Sequence, residues 1–157
     1  MRIGIGYDAH TLIKDRPLIL GGVEIPFEKG LDGWSDADVL IHAIIDALLG
    51  AAALGDIGTH FPANDPRYQN ISSIILLDRT GDLLEEQGWC VGNIDATIVA
   101  ERPLLRPFID QMRHNISSAL STSEGQVAVK ASTSEGLGFT GRAEGIAAYA
   151  VALIDVI

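Results

Sequence analysis

Apolar and polar positions change period several times along this chain, and each change marks an element. Residues 1 to 9, an apolar run through Ile3, Ile5 and Tyr7, read as a strand. Leu18-Ile19-Leu20 and Val23-Glu24-Ile25 flank Gly21-Gly22 and read as a hairpin with a glycine turn, which Pro26 ends. Ser35-Asp36-Ala37-Asp38 opens a helix through about Leu49, with a Ser or Asp N-cap and acidic residues in the first turn. His42 and Asp46 share one face of that helix. Gly55 to Pro66 is a loop of turn formers, and a helical pattern follows from about Ser72 to Gln87 with Gly88 as its C′ residue. Val91 to Val99 alternates as a strand, Pro107 to Leu120 is helical, and Gln126 to Ala131 is a further strand. The Ala-rich tail, Gly145 to Ile157, fits helix or strand, although Val151, Leu153, Asp155 and Ile157 permit alternation. With no linker or repeat, residues 1–157 form one domain of mixed α and β structure.

Composition narrows the function classes. A chain of 157 residues is long enough to bury about two-thirds of its unfolded surface without staples. Its single cysteine, Cys90, excludes an intrachain disulfide framework, fits a reducing compartment and reads as a small buried hydrophobe. Lys and Arg number 11 against 21 Asp and Glu, a net charge of −10, and no basic block occurs. Nonspecific nucleic-acid or anionic-membrane binding therefore has little electrostatic support. A phosphate can still be held locally, by a metal ion or by oriented backbone N–H groups. No secretory signal pattern is visible and no uncharged apolar run reaches about 18 residues, so the expectation is a cytoplasmic protein with neither membrane nor nucleic-acid partner. Hydrophobic residues make up 47% and the mean hydropathy is +0.24, which points to apolar surface buried between subunits.

Asp8 and His10 carry the most specific chemistry. Two residues apart on a strand, they point to one face as a ready chelate. His42, in the apolar run Val39 to Ile45, offers a third ligand. One carboxylate with two imidazoles is a catalytic zinc set, because the fourth position stays open, and hard magnesium or calcium rarely chooses two imidazoles. On spacing alone, a strand-end aspartate in a turn and a helix histidine satisfied in the core account for the same residues.

Four segments then act together: Asp8-Ala9-His10, Trp34-Ser35-Asp36-Ala37-Asp38, Gly50 to Gly58, and Ala131 to Arg142. From Met1 to the last strand they resemble the 2-C-methyl-D-erythritol 2,4-cyclodiphosphate synthase family. The resemblance implies a ferredoxin-like α/β subunit, a mixed sheet packed against helices, in a homotrimer with active sites between subunits. It implies a phosphorus–oxygen lyase of the non-mevalonate isoprenoid pathway, converting 4-diphosphocytidyl-2-C-methyl-D-erythritol 2-phosphate to the cyclodiphosphate with release of CMP. It also implies zinc on Asp8, His10 and His42 and a second divalent ion, magnesium or manganese, on Glu135.

The remaining site residues follow from the same resemblance. Trp34 and Ser35 would stand at phosphate, Ser35 as cradle, as N-cap or as both. Asp56, Ile57 and Gly58 would lie near the methylerythritol hydroxyls. The cytidine would meet Ala100 to Arg106, including Leu104, Leu105 and Arg106, and Ala131 to Glu135, including Ser132 and Ser134, with Thr133 on phosphate. Phe139, Arg142 and Glu144 match positions around the trimer axis, where a cavity able to hold isoprenoid-like phosphates and a plain interface role are both open. Asp38 and Asp46 read either as solvated helix acids or as supports of the ligands. The family often has His at Trp34, Gly at Ala37 and Lys at both Leu104 and Gly136. Leu104 thus removes a cation expected near the nucleotide, with two readings open for Arg102 and Arg106: replacements for it, or a solvated pair. Two rivals share these residues: a zinc phosphodiesterase that activates water, and a nucleotide or isoprenoid-phosphate sensor without turnover.

Overall fold

The computed structural model describes residues 1–157. Its strands are β1 (Arg2–Lys14), β2 (Leu18–Leu20), β3 (Val23–Ile25), β4 (Lys29–Leu31), β5 (Trp89–Val99), β6 (Val127–Ser132) and β7 (Gly145–Val156). Its helices are α1 (Val39–Ala52), α2 (Ile57–His60), α3 (Ser73–Glu86), α4 (Ile109–Ala119) and α5 (Gly138–Gly141). Five strands form one sheet in the order β4-β1-β7-β5-β6, with β5 and β6 parallel and the other pairs antiparallel. No helix is long and apolar enough to cross a membrane.

The glycine hairpin forms as expected: Gly21 and Gly22 take φ of +59° and +71°, the left-handed pair that a tight two-residue turn requires. Gly88, at φ +78°, ends α3. The ambiguous tail is a strand. It occupies the middle of the sheet, where Ile146, Ala148, Ala150, Ala152 and Ile154 are at most 1% exposed, and central burial suits the most continuously apolar segment.

Other expectations need correction. The mixed sheet packed on helices is present, but a ferredoxin-like unit runs β-α-β-β-α-β. Here β5, α4 and β6 make a parallel crossover and β7 returns between β1 and β5. The segment from Gly55 to Pro66 is not all loop, since it holds α2, and a 3₁₀ turn spans Pro66–Tyr68; Asp56 and Asp65 cap the two starts. Of the expected Ser or Asp N-cap for α1, Asp38 takes the position, but the expected acids of the first turn are absent. Cys90 is exposed, not buried.

Small residues bring α1 onto β1. A Cβ on Gly6 would lie 1.8 Å from the Ala43 carbonyl oxygen, and one on Gly4 would lie 2.0 Å from that of Ala47. These glycines face the helix, so the next alternate residues, Asp8 and His10, come up on the same side as His42. The opposite side of the strand is different in kind. Ile3 and Ile5 are 70% and 72% exposed, and Tyr7 pairs with the exposed Tyr149 across the ladder at 5.0 Å between ring centroids.

Candidate metal centre

Asp8, His10 and His42 converge on one point. Asp8 Oδ2 lies 2.8 Å from His10 Nε2 and 3.0 Å from His42 Nδ1, and the two imidazole nitrogens are 3.3 Å apart. The far nitrogen of His10 fixes its tautomer: Nδ1 is 2.7 Å from the Asp32 carbonyl oxygen, which can only accept, so Nδ1 carries the proton. In the neutral ring Nε2 then presents a lone pair to the carboxylate. Electron-rich atoms held this close require a proton or a metal cation among them. The donor set, one oxygen and two imidazole nitrogens, fits a divalent transition metal such as zinc. The side chains of Asp8, His10 and His42 are 27%, 20% and 11% exposed, so the cluster opens to solvent on one side, as a site with a free coordination position must.

Protonation follows the same geometry. Burial alone would raise the Asp8 carboxyl, but hydrogen bonds to His10 and His42 and the attraction of their rings outweigh it and hold the carboxyl at about 2. Burial would lower His10, yet the hydrogen bond and charge of Asp8, with the Asp32 carbonyl, raise it above its ordinary value. Around neutral pH an entering cation thus competes with a proton on His10 and not with one on Asp8.

Behind His42 the ring is buttressed by hydroxyls. Its Nε2 lies 2.9 Å from Ser73 Oγ and 3.1 Å from Ser35 Oγ. Ser35 is buried and also accepts from the Ala37 N–H, so its side chain packs against the ring. Trp34 donates its indole N–H to the Asp65 carbonyl and anchors the adjoining loop. Asp38 touches none of the three ligand side chains. Its wholly buried carboxylate accepts from Gly21, Gly22 and Ile41 N–H groups, pinning the hairpin turn to the start of α1. Burial and the charge of Asp36 push it up to about 7. Asp46, one turn beyond His42, accepts from Ile57 N–H at 2.8 Å and holds the Asp56–Ile57–Gly58 segment to the same helix. Asp56 is exposed and caps α2 through Thr59.

The expected cytidine segments also meet. Ala100, Leu104, Leu105 and Arg106 from one, and Ala131, Ser132 and Thr133 from the other, border a cavity of about 490 Å³. A hydrogen bond from Ala100 N–H to the Ser132 carbonyl joins them at its edge. Leu104 is 76% exposed. Arg106 borders this cavity, whereas Arg102 pairs with Glu28 and lies against the Phe27 ring. Ser134 and Glu135 follow on a turn, Glu135 at φ +53°, exposed and outside the Asp8–His10–His42 cluster. Phe139 is partly exposed, and Arg142 pairs with Glu144 at 2.8 Å.

Two groups at the centre escape sequence reasoning. The Asp32 contact is a backbone carbonyl, which no residue type advertises. Ser73 lies 31 positions from His42 and meets it only because α3 packs on α1.

The YgbB family model matches residues 1–155. A protein named 2-C-methyl-D-erythritol 2,4-cyclodiphosphate synthase from Pelotomaculum thermopropionicum is 62% identical over 154 residues, covering 98% of this chain and 95% of that one. The namesake from Clostridium beijerinckii is 59% identical over 157 residues, covering 100% and 99%. Among solved structures, the bifunctional IspDF of Campylobacter jejuni superposes with a TM-score of 0.95 at 41% identity, covering 99% of this chain and 42% of that longer one. A Plasmodium falciparum structure named as an IspF CDP complex superposes with a TM-score of 0.86 at 34% identity, covering 99% and 96%.

Proposed function

The chain belongs to the YgbB family, and from that membership we propose that it is a 2-C-methyl-D-erythritol 2,4-cyclodiphosphate synthase of the non-mevalonate isoprenoid pathway, acting in the cytoplasm as a phosphorus–oxygen lyase. The observation that carries the proposal is the convergence of Asp8 Oδ2, His10 Nε2 and His42 Nδ1 within hydrogen-bonding distance of one another. The substrate is 4-diphosphocytidyl-2-C-methyl-D-erythritol 2-phosphate. An oxygen of its 2-phosphate bonds to the β-phosphorus, the bond from that phosphorus to the α–β bridging oxygen breaks, and CMP leaves with the bridging oxygen. No side chain need act as base, because a phosphate monoester with a second pKa of about 6 is already largely dianionic at neutral pH.

Asp8, His10 and His42 would hold zinc and Glu135 a second magnesium or manganese ion; bound there, divalent cations would polarise the phosphoryl group under attack and offset repulsion between the two phosphates. Thr133 and Ser35 position phosphate beside Trp34, and Asp56, Ile57 and Gly58 orient the methylerythritol. The cavity between Ala100–Arg106 and Ala131–Thr133 takes the cytidine, in keeping with the CDP named in the Plasmodium relative. Arg106 supplies the cation that Leu104 lacks, since it is the arginine at that cavity. Phosphorus NMR of the reaction with authentic substrate tests the proposal. A cyclic diphosphate with equimolar CMP is the expected product, because a tethered phosphate outcompetes water. A linear hydrolysed product would instead identify the phosphodiesterase, and binding without turnover the sensor.

The assembly is a homotrimer whose active sites lie between subunits. The exposed apolar face of β1 and β7, with Ile3, Ile5, Tyr7, Tyr149 and Val151, supports it. Phe139 and Arg142 then gather at the threefold axis, where rings beside guanidinium groups suit an isoprenoid-like phosphate. Sedimentation equilibrium should return three times the chain mass of 16.7 kDa. A stable monomer at working concentration would exclude the shared site.

A further inference from the structure

We infer that Asp36 and Ser73 are positioning residues for the metal centre: they form a proton-ordered chain that holds His42 with its Nδ1 lone pair facing the cation. The inference rests on the metal-centre reading of Asp8, His10 and His42.

Counting protons carries the argument. Ser73 has one hydroxyl proton. Its Oγ lies 2.5 Å from Asp36 Oδ1, the separation of a hydroxyl donating to an ionised carboxylate. The other Asp36 oxygen accepts the Ser73 backbone N–H at 3.0 Å, and Oδ1 also accepts from Asp38 N–H at 3.1 Å. A carboxylate already serving as acceptor to three donors has no proton to offer, so the hydroxyl proton of Ser73 belongs to Asp36. What Ser73 Oγ turns toward His42 Nε2, 2.9 Å away, is a lone pair. Nε2 must therefore donate, which leaves the Ser35 hydroxyl, 3.1 Å from the same nitrogen, to turn its own proton toward Ser73 Oγ at 3.5 Å. With the proton on Nε2, the neutral ring keeps its Nδ1 lone pair, and Nδ1 is the atom 3.0 Å from Asp8 and 3.3 Å from His10 Nε2.

His10 is held the same way by a simpler device, the Asp32 carbonyl. His42 sits in the first turn of α1, where backbone carbonyls are engaged by the helix itself, so a side-chain acceptor is needed. A bare serine would leave the tautomer undecided, since a hydroxyl donates as readily as it accepts. Asp36 removes that freedom, and its charge, passed through the hydroxyl, makes the imidazole a better donor to a cation. Ser73 is fully buried, so water does not substitute for it. The same carboxylate serves α3, whose N-cap residue Ser72 makes no side-chain cap; by accepting Ser73 N–H, Asp36 fastens the start of α3 to the back of the metal centre.

Zinc is the probe for the test. Chelator competition on the parent, Ser73→Ala, Asp36→Asn and the double variant should show zinc affinity falling about 10- to 100-fold in each single variant, the range for groups that orient a metal-bound imidazole. The double variant should fall no further than the weaker single one, because both act through one chain. Nitrogen-15 NMR of the metal-free parent supplies a second readout that does not depend on how any variant folds. With no metal to set the tautomer, the neutral His42 ring should already carry its proton on Nε2. Parental affinity in both single variants, or a His42 proton on Nδ1 in the parent, overturns the inference while leaving the metal centre standing. A parent that binds no zinc at all overturns the metal reading and this inference together.

Discussion

Gly6→Ala should destabilise the protein by about 3 kcal/mol, the upper part of the usual range for overpacking, while Gly50→Ala should leave it as stable as the parent or more so. The added methyl carbon at Gly6 would lie 1.8 Å from the Ala43 carbonyl oxygen and 2.8 Å from Ala47 N, all backbone of α1. Backbone in mid-helix cannot swing aside as the end of a side chain can. The helix must lift off the strand as a body, uncovering core around Ile44 and Leu48, both fully buried. At Gly50 the nearest foreign atom is the Ile5 carbonyl oxygen at 4.0 Å, and alanine gains up to about 1 kcal/mol in helix propensity. Urea unfolding of metal-free protein measures both. For a chain of this size the Gly6 variant should also melt roughly 6–12 °C lower. Zinc affinity should fall with it, because lifting α1 carries His42 away from Asp8. Parental stability in Gly6→Ala would mean that helix and strand are not in this contact.

Much of this arrangement is legible in the residues. The two-residue spacing of Asp8 and His10 places them on one face whatever strand they occupy, and the glycine pair at Gly21 and Gly22 dictates a tight turn. Gly88 marks the end of α3 because few other residues accept its backbone angles. Where periodicity carries no face, the reading fails. The tail is apolar on both sides of the strand as far as Ile154, so its place between β1 and β5 reveals what it is. Ser35 and Asp38 are equally good N-caps by residue type. Asp38 takes the position because its carboxylate also satisfies the Gly21 and Gly22 N–H groups, a demand set by a hairpin far away in sequence. Ser73 and the Asp32 carbonyl belong to the metal centre only through packing. The connectivity found in place of a ferredoxin-like one is likewise not readable from local pattern, since strand order depends on where β7 inserts.

His42→Ala tests the central claim most directly, with metal content and turnover measured on the same preparation. His42 supplies one of three ligands, and nothing else in the cluster can take the place of its Nδ1. Its loss should therefore cost zinc affinity more than the 10- to 100-fold expected of the groups behind it, and turnover should fall with occupancy. The fold should survive. His42 is buried only at its edge of a large core, so circular dichroism and sedimentation should match the parent. The result expected is a folded, metal-poor and inactive protein; a folded His42→Ala protein free of metal that still forms the cyclic diphosphate at the parental rate would contradict the account.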